Sequence, residues 1–248
     1  MKSAPDIRIL TTPQELFAAA AEDVVRAAAE SVAQRGRFMI ALSGGSTPRS
    51  LFQLLATNAR ATFPWDQTLF FWSDERHVPP DDPESNYRMA NEAMLSKIPV
   101  APGNVFRVPA ENPDASAAAS AYEQTLRKAF SVDGDRVPQF DLILLGMGPD
   151  GHTASLFPET TGLQEKSKLV IANWVEKFKT HRITFTLPLL NAARSVMFLV
   201  SGTDKAPALK EVLQGSASGD QYPAKLIQPD PGSLIWLVDR AAASGLST

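Results

Sequence analysis

The sequence predicts an α/β protein built on a doubly wound, mostly parallel sheet with helices on both faces. Two observations carry this. Short runs that are apolar at successive positions, as expected of strands buried on both faces, alternate with stretches of helical periodicity. Each run also ends in a polar or glycine-rich turn before the next element, so the chain reads as repeated βα units of a Rossmann-like kind.

The elements follow in order. Thr12-Pro13-Gln14-Glu15 has the form of a capping box with proline at the first helical position, and the Ala-rich stretch to Gln34 continues it as helix. Phe38 to Leu42 is a strand that ends in Ser43-Gly44-Gly45-Ser46-Thr47-Pro48, after which Leu51, Phe52, Leu54 and Leu55 mark one face of a helix. Leu69 to Trp72 repeats the pattern and runs into Ser73-Asp74-Glu75-Arg76. An Ala/Ser-rich stretch, Ala115 to Ala121, flows into a helix through Leu126 and Phe130. Phe140 to Leu145 is the next strand, ending in Gly146-Met147-Gly148-Pro149-Asp150-Gly151-His152. Val196 to Val200 is another, ending in Ser201-Gly202-Thr203-Asp204-Lys205 ahead of a helix to Leu213. No internal repeat or long linker interrupts the 248 residues, so one domain spanning 1–248 is expected.

Composition narrows the chemistry. Lys and Arg total 24 against 27 Asp and Glu, a formal net charge of −3, so nothing draws the whole surface toward nucleic acid or an anionic membrane. An anion must be caught locally. With no cysteine there is no disulfide, thiolate nucleophile or Cys-ligated metal, and catalysis falls to oxygen and nitrogen groups. Met1 to Leu10 lacks the apolar core of a signal peptide, and no run approaches membrane-spanning length, so a cytoplasmic protein without membrane partners is expected. Either a monomer or a small homo-oligomer fits.

In a doubly wound fold ligands bind beyond the carboxyl ends of the strands, where each polar loop falls. Ser43 to Thr47 joins close-approach glycines, hydroxyls and a helix N-terminus, features that suit an anion; a glycine turn with a capped helix fits the same residues. No Gly-Lys-Ser/Thr follows, which argues against a nucleoside triphosphate. Gly146 to Gly151 matches G-x-G-x-x-G. However, Asp150 would face a pyrophosphate, and the next strand-like run, Leu169 to Ala172, ends without the acid a ribose needs, so a dinucleotide-dependent dehydrogenase is poorly supported. His152, with Asp150 two residues away to orient it, is placed as a general base on a strand-end loop. The alternative is a surface histidine beside an aspartate that merely caps a turn. Arg76, beside two acids able to hold it, and Arg182 are candidate anion contacts or plain surface charges. Lys205 opposes a helix macrodipole unless an anion compensates it. Neither a Gly-x-Ser-x-Gly elbow nor a His-Glu-x-x-His zinc motif is present, so metal dependence is unsupported.

Together, Ser43 to Pro48, Ser73-Asp74-Glu75-Arg76-His77-Val78-Pro79, Ser85-Asn86-Tyr87 and Leu145 to Pro158 resemble the 6-phosphogluconolactonase family in content, order and spacing. Arg182-Ile183-Thr184, Gly202 to Lys205, Pro223-Ala224 and Gly232 to Trp236 extend the resemblance over nearly the whole chain. It implies hydrolysis of a phosphosugar lactone, 6-phosphogluconolactone, without an obligatory metal or organic cofactor. His152 matches the family's proposed general base and Asp150 its neighbour. Ser43, Gly44, Gly45, Ser46, Thr47, Arg76, Arg182 and Lys205 match the substrate-contacting segments. The related glucosamine-6-phosphate isomerases share the fold and both loops, but carry a Glu near Phe157 for sugar ring opening, and a Tyr where Arg76 stands. A sugar-phosphate-binding regulator on the same fold would be expected to lose the base, whereas His152 and Asp150 are both present.

Overall fold

The computed structural model describes residues 4–247; Met1 to Ser3 of the leading stretch and Thr248 lie outside the described residues. The chain enters as strand β1 (Asp6–Leu10) and turns into helix α1 (Pro13–Arg35), where Thr12 Oγ1 accepts from the Glu15 amide at 3.2 Å and Glu15 reaches back to the Thr11 amide at 2.8 Å. Strand β2 (Phe38–Leu42) is buried at all five positions, as its unbroken apolar run requires, and leads through the glycine loop into α2 (Ser46–Asn58). Strand β3 (Thr68–Trp72) follows. Later strands β5 (Leu142–Gly146), β8 (Ser195–Val200) and β9 (Ser233–Asp239) complete a six-stranded sheet in the order β1-β9-β8-β5-β2-β3. Every pairing within it is parallel.

Both faces of this sheet are covered. Adjacent residues of β3 point to opposite sides: Phe70 stacks with Trp65, while Phe71 packs on Phe106 and on Phe130 of helix α4 (Ala115–Phe130). Helix α5 (Leu187–Asn191) precedes β8, and helix α6 (Ala206–Leu213) connects β8 toward β9. The doubly wound, mostly parallel architecture expected from the sequence is therefore the one adopted.

A second sheet was not evident from the apolar runs. Strand β4 (Asp74–Arg76) continues almost directly from β3 and pairs antiparallel with β7 (Thr180–Phe185), which in turn pairs with β6 (Val170–Val175). The segment expected as a charged strand-end turn is thus itself a short strand. Strand β5 also starts two residues later than its apolar run suggests, because Asp141 is used otherwise. Its Oδ2 accepts from the Met39 amide at 2.8 Å and its Oδ1 pairs with Arg35 at 2.9 Å, tying the start of β5 to β2 and α1.

The topology fixes where a ligand can sit. From the adjacent strands β2 and β5 the chain leaves toward opposite edges of the sheet, to β3 on one side and on to β8 on the other, so a crevice opens beyond their carboxyl ends. The small sheet stands beside that crevice because β4 leaves β3 there. Among the described residues no helix is long and apolar enough to cross a membrane.

Candidate active site

A cleft of about 300 Å³ occupies this crevice, bounded by the loops after β2, β5 and β8 and by the small sheet. Of the ten residues singled out from sequence, nine line it: Ser43, Gly44, Gly45, Ser46, Thr47, Arg76, His152, Arg182 and Lys205. Asp150 sits behind His152.

The loop after β2 opens α2 at Ser46 with no side-chain cap on its first amides. The capped-turn alternative is thus not what forms; unpaired N–H groups and the positive end of a 13-residue helix border the cleft. Gly44 has a steric reason for being glycine. A Cβ there would overlap the Asn86 carboxamide, 2.8 Å from its Nδ2. Asn86 cannot yield easily, since its Nδ2 donates to the Asp74 carbonyl at 2.9 Å.

The loop after β5 folds back on itself, with the Gly148 amide donating to the His152 carbonyl at 2.9 Å. No α-helix opens on it, and so the G-x-G-x-x-G match lacks the helix a pyrophosphate would need. What the loop builds is a dyad. Asp150 Oδ1 lies 2.5 Å from His152 Nδ1 and accepts from the His152 amide at 3.3 Å. The imidazole stacks on Phe157 with centroids 4.0 Å apart. Gly148 lies under the pair, where a Cβ would overlap the imidazole and come within 2.7 Å of Asp150 Oδ1. Burial pushes the Asp150 carboxyl up, but the hydrogen bonds and charge of His152, with Lys177 beyond, outweigh it and hold the carboxyl well below the usual range. Lys177 Nζ stands 3.4 Å from the second oxygen, Oδ2.

The small sheet supplies the opposing charges. Arg76 of β4 and Arg182 of β7 are direct cross-strand partners, so their side chains project from one face. Like charges so placed repel, and burial together with Arg76 depresses the Arg182 pKa. Arg182 forms no ion pair among the described residues, and its buried Nε has no hydrogen-bond partner. A pair of this kind is stable company for an anion and poor company for itself.

The sequence left open whether the acids beside Arg76 hold it; their side chains pair elsewhere. Arg76 Nη1 donates to the Glu84 carbonyl. Glu75 turns away and accepts from Ser85 Oγ at 3.1 Å and from the amides of Asn86 at 2.7 Å and Tyr87 at 2.8 Å, capping helix α3 (Asn86–Ala93). Burial pushes the Glu75 carboxyl up against those hydrogen bonds. Asp74 faces the cleft and accepts from Ser155 Oγ at 2.7 Å.

After β8, Ser201 Oγ donates to Asp239 Oδ2 at 2.5 Å and the Gly202 amide to Asp239 at 3.2 Å, pinning a turn that carries Lys205 to the start of α6. Lys205 Nζ, whose side chain is 22% exposed, pairs with Asp204 at 2.9 Å.

Asp74, Asn86, Ser155 and Phe178 also line the cleft but were not singled out as site residues from sequence, although the first three fall within the motifs that carry the resemblance. A polar residue directly after an N-cap serine, at Ser85-Asn86, was the available signal for one of them. Phe178 gave none, because a lone aromatic in a charged turn has no periodicity. Among the described residues no group of three or more His, Asp or Glu is arranged to hold a metal ion.

Comparison with known proteins gives a consistent answer. A family model described as "Glucosamine-6-phosphate isomerases/6-phosphogluconolactonase" matches residues 11–236. A 6-phosphogluconolactonase of Synechocystis is 43% identical over 98% of this chain and 99% of that protein. One from Rattus norvegicus is 43% identical over 97% and 93% respectively. The solved structure of the 6-phosphogluconolactonase of Trypanosoma brucei matches with a TM-score of 0.87 at 30% identity, covering 98% of this chain and 99% of that one.

Proposed function

The chain belongs to the glucosamine-6-phosphate isomerase/6-phosphogluconolactonase family, and on that premise we propose that it is a cytoplasmic enzyme hydrolysing 6-phospho-D-glucono-1,5-lactone to 6-phospho-D-gluconate in the pentose phosphate pathway. The observation that carries the reading is the His152–Asp150 dyad sharing one cleft with two arginines that have no carboxylate partner among the described residues. The working unit is residues 1–248 as one domain, since both sheets contribute walls to the cleft.

The 6-phosphate is held by the Ser43–Thr47 loop, the uncapped start of α2 and nearby cations among Arg76, Arg182 and Lys205. Binding energy from this remote group orients C1 over the dyad. Asp150 holds Nδ1–H, which leaves His152 Nε2 to take a proton from water as the water oxygen attacks C1. Negative charge then develops on the carbonyl oxygen, where amides of the glycine loops or a cleft cation stabilise it. Collapse of the tetrahedral species breaks the bond from C1 to the ring oxygen. The imidazolium returns its proton to that departing oxygen, and Asp150 stabilises the charged ring in the interval.

Isomerisation of glucosamine 6-phosphate is the second reading. Phe157 argues against it, for an apolar ring stacked on the imidazole stands near the place where sugar ring opening needs an acid.

The test is hydrolysis of freshly generated 6-phosphogluconolactone, corrected for spontaneous opening, by wild type and His152→Ala, with glucosamine 6-phosphate in parallel. Rapid lactone opening that drops about 10²–10⁴-fold in the folded variant is expected. Turnover of glucosamine 6-phosphate alone would move the chain to the isomerase branch.

A further inference from the structure

Four large apolar side chains are notably exposed among the described residues, and one of them, Phe178, is 46% exposed on the wall of the cleft. It sits in the Glu176–Phe178 turn that joins β6 to β7, held out by a hairpin whose register runs from Val170↔Phe185 to Val175↔Thr180. The hairpin is braced independently of the cleft. Trp174 packs on its cross-strand neighbour His181 at 5.0 Å and donates from Nε1 to Glu176 Oε2 at 2.8 Å. The turn closes with Lys179 at φ +49°, a left-handed conformation that a lysine adopts at some cost.

This arrangement delivers the ring to Arg182. The guanidinium carbon lies 5.1 Å from the Phe178 centroid, while the ring meets Phe157 edge-on at 5.8 Å. Arginines are ordinarily oriented by a carboxylate, which also neutralises them. Arg182 has no such partner among the described residues, its Nε is buried without a hydrogen bond, and Arg76 stands directly across the ladder. An aromatic face orients a guanidinium through its quadrupole and leaves the full charge available to a second partner.

We infer that Phe178 is a positioning residue for anion binding: it holds Arg182 by a cation–π contact so that the unneutralised guanidinium faces the phosphate of the ligand. The inference rests on the reading of Arg182 as a phosphate contact. A ring is required, not only apolar bulk, because an aliphatic side chain would fill the space without attracting the charge.

The experiment is calorimetric titration of inorganic phosphate and of 6-phosphogluconate into wild type, Phe178→Leu, Phe178→Tyr, Arg182→Leu and the Phe178→Leu/Arg182→Leu pair. Circular dichroism would check the fold of each. Phe178→Leu should weaken both ligands about 2- to 30-fold, the range a cation–π contact spans, while Phe178→Tyr stays near wild type. In the Arg182→Leu background the same change should add nothing, since the two act as one unit. Weaker binding in Arg182→Leu with wild-type affinity in Phe178→Leu overturns the role of Phe178 alone. Wild-type affinity in both variants overturns the phosphate reading of Arg182 as well. Failure of the wild type to open the lactone, with phosphate binding and its Phe178 dependence intact, removes the proposed reaction and leaves this contact standing.

Discussion

Asp150 Oδ1 lies 2.5 Å from His152 Nδ1, which leaves Nε2 as the ring nitrogen facing away from the carboxylate. Lys177, 3.4 Å from the other carboxylate oxygen, steadies the pair from the solvent side.

Asp150→Asn should therefore keep the fold and lower kcat by about 10²-fold or more, because a neutral amide neither fixes the tautomer nor stabilises the imidazolium. The loss should appear in kcat more than in KM, as steady-state kinetics would show. The acid dependence of stability should change too. The folded carboxyl titrates below its ordinary range, so its stabilising contribution is complete above the ordinary carboxylate pKa and disappears as pH falls through the depressed value. Denaturant midpoints of wild type and Asp150→Asn should hence converge as the pH drops below the usual carboxylate range.

Gly148→Ala tests the packing beneath the dyad. The added methyl overlaps the imidazole, and a displacement of about 1 Å in a reacting group costs on the order of 10²-fold in rate. Activity should collapse while thermal unfolding shows a smaller penalty, on the order of 1–3 kcal/mol for overpacking. An active Gly148→Ala enzyme would mean that the ring need not occupy the position seen here.

Glu75→Ala should act on stability first. It removes the acceptor for the Ser85 hydroxyl and for two amides that open α3, leaving buried donors unsatisfied at about 1–3 kcal/mol each. Glu75→Gln retains one acceptor oxygen and should lose less. Urea denaturation of the two variants would rank them, and the reverse order would contradict the capping role.

Ser155→Ala removes the hydroxyl that donates to Asp74 at 2.7 Å. Loss of a hydrogen bond to a charged group is worth about 1.5–3 kcal/mol, and the freed carboxylate in the cleft should repel the phosphate. A raised KM with a lowered unfolding midpoint is expected from kinetics and calorimetry.

How much of this was legible in advance depended on the kind of signal. The parallel sheet was, since β2, β3, β5 and β8 are short and apolar at successive positions, and each hands over to a loop that the fold must place at one edge. That edge is why residues as distant in sequence as Ser43, His152 and Lys205 can be grouped from the sequence alone. The small sheet was not legible. Strand β4 has three residues, all charged, and β7 begins Thr180-His181-Arg182, so neither offers an apolar run. The roles of the acids depended on it: only the pairing of β4 with β7 turns Glu75 toward α3 and Asp74 toward Ser155. Charge content could suggest that Arg76 meets an anion, but not that its neighbours serve other elements.

The pairing of Arg76 with Arg182 has a consequence for how the molecule could change over time. Because side chains alternate along a strand, a slip of one residue between β4 and β7, or one residue gained or lost inside either, turns an arginine out of the cleft. Substitutions that preserve strand length can be tried one at a time. Length changes in these two strands cannot, and the ladder works as a ruler that ties the spacing of two distant segments of the chain to a single charge pattern.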